Sequence, residues 1–167
     1  MTVPALAGLH HLKLPVSDLD ASLAWYRRVL GADHLAPFDH VDDGGQRYAV
    51  IVGVPGLDTP LELRWAPSAA AAVAGYDPIN LAVASVDGLR AWAQHLDAEG
   101  VDNSGVIAGG AGQLLVFADP DGLFLRIAEV PAGGVENIVM PKGNPEPDDA
   151  WLSPPSMQHP GPVEPLP

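Results

Sequence analysis

The sequence predicts an α+β fold in which one unit, a strand, a helix and three more strands, occurs twice. Three observations carry that reading. Residues 11–16 alternate, with His11, Lys13 and Pro15 on one side and Leu12, Leu14 and Val16 on the other, the period of a half-buried strand. Leu19, Leu23, Tyr26 and Leu30 then follow at helical spacing. The same order returns later in the chain: His11 to Asn80, Asp18 to Asp87 and Gly31 to Gly100 share a spacing of 69 residues.

The elements follow in order. Ser17 or Asp18 offers the first helix an N-cap, because a short side-chain oxygen can accept from the free amides of the first turn. Arg27 and Arg28 suit the negative end of its dipole, and Gly31 supplies a C-terminal cap. Three apolar runs, Leu35 to Val41, Arg47 to Val54 and Leu61 to Trp65, read as strands, and the "DDGG" stretch at 42–45 reads as the hairpin turn between the first two. In the second half "INLAV" is a strand and a helix starts near Asp87 and stops at Gly100. Strands follow in "VIAGG", "GQLLVFA" and "LFLRIAEV", and "DPDG" at 119–122 suits a type I turn. The expected domains are a first module over 8–66, a linker over 67–77, a second module over 78–130 and a tail over 131–167. The tail is rich in proline and has no core of its own, with Trp151, Leu152 and Met157 as candidate anchors.

Composition narrows the function. The chain has 167 residues, no cysteine and a formal net charge of −13. Disulfides and thiolate metal sites are excluded. The acidic balance disfavours nucleic acid and anionic membranes as partners. No apolar stretch is long enough to span a bilayer and no secretory signal opens the chain, so a cytoplasmic protein is expected. Nucleophile-elbow, P-loop and dinucleotide-binding motifs do not occur.

"HHLKLPVSDLDASLAWYRRVLG" followed by "PLELRW" and "DPDGLFLRI" resembles the vicinal oxygen chelate superfamily of glyoxalases, bleomycin-resistance proteins and extradiol dioxygenases. The resemblance spans roughly residues 8–130. It implies two βαβββ modules whose strands curl into a cup-like mixed sheet around a small-molecule cavity, and a homodimer. Metal-dependent members place one ligand on each of four strands. His11 and Glu62 match the first two of those places. The third, usually histidine, falls on Asn80 at the 69-residue spacing, and the fourth, usually glutamate, falls on Arg126.

An amide oxygen is a modest ligand, and a guanidinium has no lone pair to give. The family metal is therefore not expected; were one bound, His11 and Glu62 would hold it. Arg126 is expected to fill the vacant place by pairing with Glu62 or with an anionic group on a ligand. Lys13 and Arg64 share the parity of His11 and Glu62 and join the candidate ligand-binding set of His11, Glu62, Asn80 and Arg126. His34, His40, His95 and His159 show no ligand spacing, and His40 is placed on an exposed hairpin. Trp25 and Tyr26 are read as core or dimer contacts. The expected function is binding of a small molecule, cationic or carbonyl-containing, without metal. The alternative is a lyase, isomerase or dioxygenase-type enzyme in which His11 and Glu62 work as a general acid–base pair.

Overall fold

The computed structural model describes residues 2–109, 112–130, 134 and 137. The candidate anchors of the tail, Trp151, Leu152 and Met157, lie outside the described residues. The chain divides into two compact units, Met1–Ala72 and Val73–Pro167, and each is mixed α+β.

The first unit holds β1 (Leu12–Val16), α1 (Leu19–Leu30), β2 (Asp33–His34), β3 (His40–Val41), β4 (Arg47–Gly53) and β5 (Leu61–Trp65). Its sheet runs β1-β5-β4-β2, with β3 also on β4; β1 and β5 are parallel and the other pairs antiparallel. The alternation of β1 comes out as expected, with Leu14 and Val16 buried and Lys13 exposed. Ser22, Tyr26, Val29 and Leu30 form the buried stripe of α1, which packs on β4 and β5. Val50, Val52, Leu61 and Leu63 are buried in those two strands, each worth about 1.5–3 kcal/mol of transfer from water.

Of the two cap candidates Asp18 is the one used: its carboxylate accepts from the amides of Asp20 and Ala21 at 2.9 Å. At the other end Gly31 sits at φ 63°, a left-handed position that glycine takes without strain. Replacing the cap, Asp18→Ala, is expected to cost about 1 kcal/mol in urea unfolding. An unchanged midpoint would mean that α1 holds its first turn by packing alone.

The single strand expected over Leu35–Val41 is broken. A 3-10 turn at Ala36–Phe38 takes up its middle and leaves only the two-residue β3 at its end, while the equally short β2 lies just ahead of it. Pro37 has no amide hydrogen and a fixed φ, so a ladder cannot run through it. The Asp39 carboxylate then accepts from the Ile51 amide at 3.2 Å and takes His34 Nε2 at 2.9 Å, which holds the turn against β4. The hairpin at 42–45 is present. Asp42 accepts from the amides of Gly44 and Gln46.

α2 (Pro67–Val73) lies in the stretch read as a linker. The second unit carries β6 (Ile79–Val83), α3 (Val86–Ala98), β7 (Ile107–Gly109), β8 (Gly112–Ala118) and β9 (Phe124–Glu129), with sheet order β6-β9-β8-β7. β6 and β9 are parallel, as β1 and β5 are. Ser85 caps α3, its hydroxyl accepting from the Gly88 amide.

This changes the spacing between the modules. Leu12 and Ile79 open the matching strands, and Asp18 and Ser85 cap the matching helices; each pair is 67 residues apart. Only Gly31 and Gly100 keep 69, because α3 is one residue longer and Glu99 stands between it and its glycine.

Candidate functional site

Glu62 is the centre of the first unit's polar cluster. It sits on β5 between β1 and β4, opposite Lys13 and Ile51 in the two registers. The side chain is fully buried. One oxygen, Oε2, lies 3.1 Å from His11 Nε2 and 3.4 Å from Lys13 Nζ. The other, Oε1, accepts from Arg64 Nη1 at 3.3 Å and has His40 Nδ1 at 4.0 Å. Oε2 is within ion-pair range of two nitrogens but receives no well-aimed hydrogen bond from either.

Strand geometry explains the assembly. His11 immediately precedes β1 and shares its parity with Lys13, and Arg64 lies two residues beyond Glu62 on the same face. His40 joins through the β3–β4 pairing, where it faces Ala49, itself the partner of Arg64. His40 lies on the β3–β4 hairpin with its side chain 39% exposed, as expected, and from there its ring also borders the Glu62 cluster and meets the Tyr48 ring edge-on at 5.7 Å. Tyr48 also carries the Arg64 guanidinium 4.3 Å above its ring. Neither residue has a sequence spacing to His11 or Glu62 that would reveal it; only the hairpin register does.

Arg126 is on β9 opposite Asn80, and its Nε pairs with Asp77, just ahead of β6. Both side chains are mostly buried, and Nε has no well-formed hydrogen bond. Within the second unit its partner is Asp77, a residue with no motif to mark it in the sequence.

The registers also revise which residue stands at the third ligand place. Lys13 pairs with Glu62 across β1–β5, and Asn80 pairs with Arg126 across β6–β9. Asn80 is therefore the counterpart of Lys13. The counterpart of His11, the residue just before the strand, is Pro78, which has no side-chain donor.

The family model described as Glyoxalase/Bleomycin resistance protein/Dioxygenase superfamily matches residues 8–127. The chain belongs to this superfamily. Among solved structures it is similar to TnmS3, an antibiotic binding protein from Streptomyces sp. CB03234, with 28% identity and a TM-score of 0.60 over 76% of this chain and 98% of that one. A glyoxalase/bleomycin resistance protein from the same organism has 27% identity and a TM-score of 0.54, covering 72% of this chain and 99% of that one. A variant of the fosfomycin resistance protein FosX from Listeria monocytogenes, complexed with Mn(II) and 1S,2S-dihydroxypropylphosphonic acid, has 17% identity and a TM-score of 0.58, covering 74% and 90%. That last likeness is one of fold. No curated protein matches the chain.

The side chains of this superfamily member do not fit the metal that the resemblance brings with it. Among the described residues no three of His, Asp and Glu converge as a metal would need. Glu62 is already flanked by Lys13 and Arg64. A divalent ion bound to Oε2 would lie near the Lys13 ammonium, with a repulsion of several kcal/mol at moderate dielectric, ~4 Å apart. The second-module counterparts of His11 and Glu62 are Pro78 and Arg126, whose side chains have no lone pair to give a metal. Among the described residues no helix is long and apolar enough to cross a membrane.

Proposed function

We propose that this chain is a metal-free small-molecule binding protein of the superfamily, working as a homodimer, with His11, Lys13, Glu62 and Arg64 as the polar part of its ligand site. One observation carries the reading. The buried carboxylate that a metal would use is bracketed by two permanent cations and two imidazoles. The likeness to an antibiotic binding protein supports binding without chemistry. Glu62 has an atom within reach of His11, yet it is buried under its partners, which argues against a proton shuttle to substrate and for a fixed anchor.

Three measurements test this. Elemental analysis of the purified protein is expected to show well under one zinc, nickel, iron or manganese per chain. Stoichiometric metal that His11→Ala removes would overturn the proposal and move it to a metal-dependent enzyme. Mass spectrometry of material released on denaturation is expected to find a small organic ligand. Light scattering that shows a monomer at micromolar concentration would remove the dimer from the proposal.

A further inference from the structure

The acidic composition suggests a cationic ligand, but the charges around Glu62 point the other way. Glu62 contributes one negative charge and is fully buried. Lys13 and Arg64 contribute two positive charges and stay open to solvent, at 54% and 37% side-chain exposure. The nearby carboxylates are engaged elsewhere: Asp39 with His34 and Arg47, and Asp20 with Arg47. Two cations against one carboxylate leave the cluster a surplus of one positive charge. An arriving molecule meets nitrogen, because the carboxylate lies beneath it.

The donors are also incompletely used. A guanidinium has five N–H donors in a rigid fork, and the contact of Arg64 with Glu62 uses Nη1 alone. Its flat face rests on Tyr48 at 4.3 Å, which fixes its plane and leaves its edge for a partner. An ammonium has three donors, and the contact of Lys13 with Glu62 Oε2 accounts for one. His40 Nδ1, at 4.0 Å from Oε1, stands beside them.

We infer that Lys13 and Arg64 are the specificity-determining residues of the site and that they recognise an oxyanion, a carboxylate or phenolate, on a small organic ligand. Glu62 holds the two cations in place, and the ligand anion neutralises the charge that Glu62 leaves over. This rests on the small-molecule binding reading above and names its ligand class. Charge-assisted hydrogen bonds are about twice as strong as neutral ones, so an anion gains more here than an isosteric amide.

The test uses the full chain and three probes of one shape: naphthoate, naphthamide and naphthylmethylammonium, titrated by calorimetry or by amide chemical shifts. Naphthoate is expected to bind about tenfold tighter than the other two. In Lys13→Gln its affinity falls about tenfold while naphthamide is unaffected, and Arg64→Gln does the same. Circular dichroism checks that each variant is folded, and the comparison on the unaltered chain needs no variant. Equal or tighter binding of naphthylmethylammonium overturns the inference, as does naphthoate affinity that ignores Lys13 and Arg64, or no binding of any probe. In each case elemental analysis reads the metal-free proposal separately: a preference for the cation with no metal leaves that proposal standing.

Discussion

Removing both cations beside Glu62, as Lys13→Met with Arg64→Met, is expected to destabilise the protein by about 3 kcal/mol in urea unfolding. Glu62→Gln is expected to cost only about 1 kcal/mol. The asymmetry follows from burial. Glu62 is fully enclosed, so its carboxylate cannot recover water when its partners go. Among the described residues, the imidazoles of His11 and His40 would then remain beside it. Lys13 and Arg64 are partly exposed and can turn to solvent when Glu62 is neutralised. An exposed ion pair would show the opposite pattern, small and equal losses on both sides. Equal losses in the two variants would mean that water reaches Glu62 and that the cluster is a surface network. High salt should do little to the difference, since buried pairs are screened less than exposed ones.

The parts of the fold that were legible in the sequence are those set by local rules. β1 shows its period of two, α1 its cap and its glycine stop, and β5 its apolar boundaries, so the elements that hold His11, Lys13, Glu62 and Arg64 could be placed directly. The rest depends on pairing between distant segments. His40 reaches Glu62 only because β3 folds back on β4 with a register shift at His40 and Val41. The run from Leu35 to Val41 looks like a strand by composition, and one proline breaks it. The spacing of 69 residues holds only for the glycines beyond the two helices, which differ in length. The paired strands keep 67, and so the third ligand place moves from Asn80 to Pro78. Asp77 had no motif to mark it. Its role follows from the buried guanidinium across from it.

That guanidinium carries the second large effect. Asp77→Asn is expected to lower stability by about 3 kcal/mol, because Arg126 is mostly buried, at 17% side-chain exposure, and would lose its ion-pair partner. Arg126→Met should cost less than Asp77→Asn. A straight apolar side chain suits a mostly buried position on β9 paired with the buried Val116. The combined Asp77→Asn, Arg126→Met variant should be more stable than Asp77→Asn alone, since no charge is then left without a partner. The coupling between the two substitutions is expected to reach about 2 kcal/mol in a double-mutant cycle. Strict additivity would show that Asp77 does not hold Arg126. With strong coupling Arg126 is a structural residue of the second module, and Arg126→Met should leave naphthoate binding unchanged even as Lys13→Gln abolishes the preference for the anion.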